Sequence, residues 1–173
     1  GWDSSACAIS TTDFLLNYEN RTQWINNLII NLKKVEDSLT EHWENDYDLI
    51  LMNPPFLSME LIKSKDEKDA VNQVLNDLGM KKRPNQAAAF LYKAVNALKE
   101  NGVLGVVLPS SILLADQYDV LRNRINEQTK LVSIGRLGNF IFENALTDVS
   151  FLMLKKTRDY QMSPQTIWCR NIE

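Results

Sequence analysis

The sequence predicts an α/β fold in which a parallel sheet lies between two layers of helices. Short apolar runs, typical of strands buried on both faces, alternate along the chain with helical segments. Strands that alternate with helices imply parallel crossover connections and therefore a three-layer sandwich. The predicted strands cover residues 48–52, 103–108, 131–134 and 149–154.

Helical segments are expected before and between these strands. Residues 5–18 carry apolar side chains and no helix breaker. Residues 87–99 form a strongly amphipathic pattern, and Gly102 follows it as a C-terminal signal. Residues 28–35 are a weaker strand candidate, so the pattern extends to the N-terminal part of the chain.

Composition indicates one globular domain with a substantial core. The chain has 173 residues, of which 45% are hydrophobic and 24% charged. Residues 1–157 are interpreted as the domain, whereas 158–173 break the pattern and are expected to be a linker or the start of another element. The two cysteines, Cys7 and Cys169, lie far apart without nearby metal ligands. We therefore expect a reducing, cytoplasmic location and no metal site. No apolar run approaches membrane-spanning length, so no association with a membrane is expected.

Charge limits how the chain can contact nucleic acid. The net charge of −3 argues against a broad surface that grips a phosphate backbone. One local exception is the basic run at residues 81–83, which is either a solvated surface or a phosphate contact. If the substrate is nucleic acid, most of the affinity is expected to come from another domain or from a partner subunit.

The most informative segment is the turn Asn53-Pro54-Pro55-Phe56, which follows a buried-type strand directly. Such a turn can make a planar amine nucleophilic, because two acceptors that take its hydrogens release its lone pair from the ring. The side-chain oxygen of Asn53 and the backbone carbonyl of Pro54 can serve as these acceptors. Phe56 can stack on an extruded base. The alternative interpretation is a simple turn after a strand.

The two prolines explain how the acceptors are aimed. Each proline fixes φ near −65° and lacks an N–H group, so the turn is stiff and leaves the sheet. A residue before proline is pushed towards extended geometry, which applies to both Asn53 and Pro54. Preorganised acceptors of this kind stabilise charge that develops during a reaction.

These motifs together resemble the amino-methylating DNA methyltransferases that use S-adenosylmethionine, specifically the adenine-N6 group found in restriction-modification systems. Asn53 to Phe56 match the catalytic motif of that family. Asp3, in Gly1-Trp2-Asp3, resembles the carboxylate that binds the cofactor ribose, although it also suits the N-cap of the following helix. Asp37, sixteen residues before Asn53, resembles the acceptor for the adenine amino group of the cofactor, or it is a loop carboxylate.

Two aromatic residues complete the resemblance. Phe90, in Ala88-Ala89-Phe90-Leu91, resembles the residue that lines the adenine pocket of the cofactor, with core packing as the alternative. Phe142, within the late pattern that ends at Thr147-Asp148-Val149, resembles the aromatic that holds the flipped base. Phe140 is the alternative for that role, and a plain core position is the alternative for Phe142.

The chain departs from the family in one respect. The glycine-rich cofactor loop that follows the first strand of the family is absent, and no Gly-x-Gly occurs in the sequence. The resemblance therefore implies a Rossmann-like class I methyltransferase fold truncated at its N-terminal side. Because the missing strand is central in the family, we expect an incomplete sheet with an exposed edge that favours self-association.

The resemblance implies transfer of a methyl group from S-adenosylmethionine to adenine N6 in DNA, together with a separate specificity domain or subunit. Two alternatives stay open within catalysis, because the same turn serves the amide of protein glutamine and the N2 amine of guanine in RNA. A third alternative is an inactive binding or assembly fragment.

Overall fold

The structure, a computed structural model, describes residues 1–24, 27–80, 84–139 and 147–157. The chain divides into two compact units, Gly1–Glu41 and His42–Glu173. The predicted linker over 158–173 lies outside the described residues, so the domain boundary at residue 157 stays a prediction. In the part of the chain that is described, no helix is long and apolar enough to cross a membrane.

The first unit contains one helix and two very short parallel strands. Helix α1 (Ala6–Thr22) is four residues longer at its C-terminus than the predicted segment. Strands β1 (Trp2–Asp3) and β2 (Lys33–Lys34) pair in parallel. The strand expected over 28–35 is therefore reduced to two residues, because β1 offers only two residues to pair with.

The second unit contains a four-stranded sheet in the order β3-β4-β6-β5. Its strands, in chain order, are β3 (Tyr47–Met52), β4 (Leu98–Pro109), β5 (Thr129–Gly138) and β6 (Val149–Lys156). Strands β3 and β4 are parallel as predicted, whereas β6 runs antiparallel to both β4 and β5. Strands β5 and β6 could not be parallel neighbours, because the connection between them is too short for a crossover, which needs about a dozen residues or more.

Helices accompany the sheet of the second unit. They are α2 (Lys65–Leu75), α3 (Gln86–Ala97), α4 (Ser110–Leu114) and α5 (Asp119–Asn126), with short 3-10 helices at Asn76–Leu78 and Asp116–Tyr118. Helix α3 packs against β4, α2 and α5. Leu104, Val106 and Leu108 of β4 and Leu152 of β6 are buried in one face of the sheet. We call this the covered face.

The opposite face of the same sheet is open. Leu51 is 72% exposed and pairs with Gly105, which in turn pairs with Met153. Leu49 is 55% exposed and lies on the same side. We call this the open face. Within the described residues, β3 and β5 are the two edge strands of the four-stranded sheet. The second unit therefore has the α/β architecture and the exposed sheet edge that the sequence predicts.

The role expected for Gly102 was wrong. Helix α3 ends at Ala97, and strand β4 begins at the next residue, so Gly102 lies inside a strand. A Cβ atom at Gly102 would lie 2.6 Å from the backbone carbonyl oxygen of Tyr47. Asn101 before it has a φ of 67°. Glycine is therefore needed there for close approach of two backbones and not to end a helix.

Candidate active site

The Asn-Pro-Pro-Phe turn begins where strand β3 ends. Met52, the last residue of β3, is paired with Val106 of β4, so the first residue of the turn follows a fixed point of the sheet. Asn53 is exposed and Pro54 is buried. Both peptide bonds that precede the prolines are trans. The turn therefore leaves the C-terminal end of a parallel strand, where open α/β sheets bind their ligands.

The Asn53 side chain is available to a ligand. No hydrogen bond of its amide group occurs within the described part of the chain. Asn53 borders an open depression of about 450 Å³ whose other lining residues, Phe151 and Met153 among them, belong to β3, β4 and β6. Among the described residues that line this depression, Asn53 alone has a polar side chain, so its amide oxygen is the side-chain acceptor of the region.

The far end of the turn is held by a residue that the sequence analysis missed. The Nδ2 of Asn85 donates to the backbone carbonyl of Phe56 at 3.1 Å. Asn85 is also the N-cap of α3, since its Oδ1 accepts from the backbone N–H of Ala87 at 2.8 Å. An asparagine directly before an alanine-rich helix is a recognisable N-cap signal. Its contact with Phe56 spans 29 residues and has no local signal.

In the first unit, Asp3 forms a local turn at the start of α1. Its Oδ1 accepts from the backbone N–H of Ser5 at 2.7 Å. The N-cap of α1 is Ser5, whose hydroxyl accepts from the backbone N–H of Ala8. The alternative cap role of Asp3 is therefore taken by Ser5. Asp3 is exposed and ends β1, and its role in cofactor binding stays a prediction.

Asp37 has one satisfied and one unsatisfied oxygen. Its Oδ1 accepts from the backbone N–H of Leu39 at 2.8 Å, whereas its Oδ2 is buried and has no hydrogen-bond partner within the described residues. A buried acceptor without a donor is costly, so such an atom fits an incoming N–H group. The amino group of an adenine is a donor of that kind. Asp3 ends β1, and Asp37 lies three residues after the parallel strand β2.

Phe90 lies on α3 and is only 8% exposed. Its ring is tilted by 52° against that of Trp43, with 6.4 Å between the ring centroids, and the Nζ of Lys93 lies 5.4 Å from the centroid of the Trp43 ring. Trp43 was not singled out from the sequence. The contact is consistent with core packing of Phe90, and its predicted place in the adenine pocket of the cofactor stays a prediction.

Phe142 and its alternative Phe140 lie outside the described residues, as does the basic run at 81–83. The strands that flank the Phe142 segment are joined by an ion pair. The Nε of Arg136, in β5, donates to both carboxylate oxygens of Asp148 at 3.1 and 3.0 Å. These hydrogen bonds hold the pKa of the Asp148 carboxyl below its usual value. The ion pair therefore links β5 to the residue directly before β6.

Two curated relatives match much of this chain but little of their own length. The Type II methyltransferase M.AccI of Acinetobacter calcoaceticus is 24% identical over 123 residues, a match that covers 69% of this chain and 22% of M.AccI. The Type II restriction enzyme and methyltransferase RM.Eco57I of Escherichia coli is 28% identical over 113 residues, covering 64% of this chain and 11% of RM.Eco57I. The chain thus spans less than a quarter of either relative.

Solved structures of methyltransferases share the fold. A class I S-adenosylmethionine-dependent methyltransferase from Listeria monocytogenes has a TM-score of 0.63 at 16% identity, over 96% of this chain and 46% of that one. The Type IIL restriction-modification enzyme MmeI, solved in complex with DNA, has a TM-score of 0.61 at 18% identity, over 74% of this chain and 18% of that one. These likenesses confirm the predicted Rossmann-like class I methyltransferase fold.

The family itself is identified by sequence. The model of the family described as "Eco57I restriction-modification methylase" matches residues 3–142, which is well over half of the chain. The match includes Asp3, the Asn-Pro-Pro-Phe turn and α3. The predicted relationship to restriction-modification methyltransferases is confirmed, and this chain belongs to the Eco57I restriction-modification methylase family.

Proposed function

We propose that the chain forms the catalytic part of an enzyme that transfers a methyl group from S-adenosylmethionine to the N6 amino group of adenine in DNA. The observation that carries this proposal is the exposed amide of Asn53 at the C-terminal end of β3, followed by two prolines and an aromatic residue. Membership of a methylase family supports the methyl transfer. The turn serves any planar amine or amide, so the choice of adenine N6 depends on the resemblance of the late pattern from Phe142 to Val149 and on the long segment between Phe56 and Asn85.

In the proposed reaction, this turn activates the amine. The Asn53 Oδ1 and the backbone carbonyl of Pro54 accept the two N–H groups of the target base, so the nitrogen becomes more tetrahedral and its lone pair is released. Bound S-adenosylmethionine supplies an electrophilic methyl group on a positively charged sulfur. As the amine took up the methyl group, with the sulfur of the donor as the leaving group, both oxygens would stabilise the positive charge on nitrogen. The nitrogen then loses one proton to solvent.

Three residues are proposed to hold the cofactor. Asp3 would accept from the ribose hydroxyls and Asp37 from the adenine amino group, while Phe90 would line the adenine pocket. The buried and unpaired Oδ2 of Asp37 supports this assignment, because it lacks a donor within the described residues. A variant Asp37→Asn would present an amide of the same size, so loss of cofactor affinity in that variant would report on the acceptor.

DNA is the proposed polymer substrate. Phe56 and Phe142 would stack on the extruded base and partly offset an unstacking cost of about a few kcal/mol. Because the net charge of this chain is −3, affinity for the phosphate backbone would come largely from a separate specificity domain or subunit. The structure of MmeI in complex with DNA supports a DNA partner for this type of protein.

The direct test is to identify which polymer accepts the methyl group. The natural protein that carries this chain is incubated with radiolabelled S-adenosylmethionine in three separate reactions, which contain DNA, RNA or protein as the acceptor. We expect label in DNA as N6-methyladenine, and no label when N6-methyladenine already occupies every target adenine. Label in the guanine N2 of RNA or in a protein glutamine would contradict the proposal and favour one of the other planar amine substrates.

A second candidate function is a binding or assembly module without activity of its own. The observation that favours it is the absence of any Gly-x-Gly segment for the methionine part of the cofactor. Calorimetric titration with S-adenosylmethionine separates the two candidates. Binding by the natural protein but not by residues 1–173 alone would show that this chain holds only part of the cofactor pocket. No binding by either protein would favour the assembly module.

A further inference from the structure

Asn85 joins two parts of the second unit through a single side chain. Its Oδ1 accepts from the backbone N–H of Ala87 at 2.8 Å and so caps helix α3. Its Nδ2 donates to the backbone carbonyl of Phe56 at 3.1 Å. One amide therefore satisfies the start of a helix and the end of the proposed catalytic turn at the same time.

The backbone around Asn85 strengthens this junction. Asn85 forms an isolated antiparallel bridge with Ser58, and the N–H of Gln86 donates to the carbonyl of Leu57 at 2.8 Å. The N–H of Asn85 itself donates to the hydroxyl of Tyr118 at 3.1 Å, and Tyr118 is only 2% exposed. The backbone of Asn85 is thus held by a hydrogen bond to a buried side chain, and Asn85 cannot shift without breaking that bond.

The proposed catalytic turn is consequently fixed at both ends. At its start, Met52 is paired with Val106 in the parallel ladder of β3 and β4. At its end, the carbonyl of Phe56 is held by Asn85. Between them lie two prolines whose φ angles are fixed by their rings. Because the segment is stiff and held at both ends, the Asn53 and Pro54 oxygens can point in few directions.

We propose that Asn85 is a positioning residue for methyl transfer, an inference that rests on the proposed function. It acts through the Phe56 carbonyl, which sets the place of the Phe56 ring and the orientation of the Asn53 and Pro54 oxygens. Asn85 touches neither the base nor the methyl donor in this scheme. Its contribution is to keep the acceptors in reacting geometry, where misplacement by about 1 Å lowers rates by about 100-fold.

The side-chain chemistry explains why asparagine suits this position. The contact with Ala87 needs an acceptor, whereas the contact with Phe56 needs a donor. Aspartate caps helices as well as asparagine does, but its ionised carboxylate has no proton to donate. Asn85→Asp would therefore keep the helix cap and replace an attractive contact with Phe56 by repulsion between two oxygens. This substitution separates the two tasks of Asn85.

The test compares Asn85→Asp with the unchanged natural protein. We expect kcat for DNA methylation to fall by roughly 10- to 100-fold, while the KM for S-adenosylmethionine changes less than about threefold. Amide hydrogen exchange at residues 57–62 should accelerate, with no change at 103–108. Ser64→Ala, which removes the N-cap of α2, is the control for a local loss of helix stability away from the Phe56 carbonyl and should leave kcat unchanged.

A double-mutant cycle with Phe56→Ala adds a measurement that a merely structural role would not affect. If Asn85 acts by placing the Phe56 ring, the kcat loss from Asn85→Asp should shrink in the Phe56→Ala background. Unchanged kcat in Asn85→Asp, in a protein that methylates DNA, would overturn the positioning role and leave the proposed function standing. An unchanged protein that does not methylate DNA would overturn the proposed function and the positioning role with it.

Discussion

The two faces of the four-stranded sheet are built from the same strands, yet their surroundings differ completely. Leu104 and Leu51 lie on paired neighbouring strands, and one is fully buried while the other is 72% exposed. Strand residues alternate between faces, so both surfaces come from the same continuous apolar runs. Such runs are typical of sheets covered on both sides. The comparison shows that an apolar run predicts which residues can be buried in a sheet. Which face is in fact buried depends on where the helices pack.

The largest expected effect is a difference between matched leucines. Leu104→Ala should destabilise the chain by about 2–5 kcal/mol, because it leaves a cavity beneath the helices. Leu51→Ala should change the free energy of unfolding by less than about 0.5 kcal/mol, because its side chain is already in water. Urea unfolding of residues 1–173 measures both. Equal losses would mean that the open face is covered in solution.

Self-association provides the next test of the open face. We expect the chain to associate through β3, because unpaired edges and exposed apolar side chains favour pairing. Leu51→Lys should weaken that association by at least about tenfold, since a buried leucine contributes about 1.5–3 kcal/mol. Leu114→Lys, at a leucine of α4 that is also exposed, is the control.

Sedimentation velocity over a range of concentrations measures this association. A concentration-dependent sedimentation coefficient is expected for the unchanged chain and for Leu114→Lys, with a much weaker dependence for Leu51→Lys. A monomer at every concentration would contradict the expectation that the open face pairs with another copy.

Glycine substitutions sharpen the comparison within the open face. A Cβ atom at Gly135 would lie 2.1 Å from the Cε1 of Phe151, so Gly135→Ala forces the ring of that residue to move. The expected loss is about 1–3 kcal/mol. At Gly105 the nearest atom is the flexible end of the exposed Leu51 side chain, 2.8 Å away, so Gly105→Ala should cost less than about 0.5 kcal/mol. Thermal unfolding should rank the two variants in this order, and the reverse order would refute the packing argument.

The smallest effect is expected where β5 ends and β6 begins. The pKa of Asp148 is lowered by hydrogen bonds from Arg136, so its stabilising contribution is present above the unfolded-state pKa of about 3.9. That contribution is lost as the pH falls through the still lower folded-state pKa. The difference in unfolding free energy between the unchanged chain and Asp148→Asn should therefore be constant from about pH 5 to 8 and shrink below about pH 4.

Unfolding at several pH values, with Asp13→Asn on the exposed side of α1 as the control for removing a carboxylate, measures this contribution. A difference that persists undiminished to about pH 3 would contradict the assignment of the shift to the Arg136 contact.

Much of the second unit could be predicted from local sequence patterns. The predicted strand over 103–108 lies within β4, but the strand itself extends back to Leu98. The added residues include Lys99, Glu100 and Asn101, which are exposed and show no apolar pattern. They belong to the strand because Leu98 pairs with Tyr47 of β3, ahead of a register shift before Leu49. Pairing between distant segments is not visible in a local pattern, which explains why the strand cores were predicted and their ends were not.

The candidate site shows the same division. The Asn-Pro-Pro-Phe turn is a contiguous motif with stiff prolines, so its place at the end of β3 could be predicted. The contact of Asn85 with the Phe56 carbonyl could not, because it joins residues that lie 29 positions apart. The N-cap role of Ser5 was missed because Asp3 and Ser5 are both good caps, and only backbone geometry separates them.

The central claim is that Asn53 activates the amine of adenine. The most direct measurement is the formation of N6-methyladenine in DNA by the natural protein carrying Asn53→Ala, with Asn123→Ala on the exposed side of α5 as the control. We predict that Asn53→Ala lowers kcat by about 100-fold or more with unchanged circular dichroism and melting temperature, while Asn123→Ala retains full activity. Full methylation activity in Asn53→Ala would contradict the account.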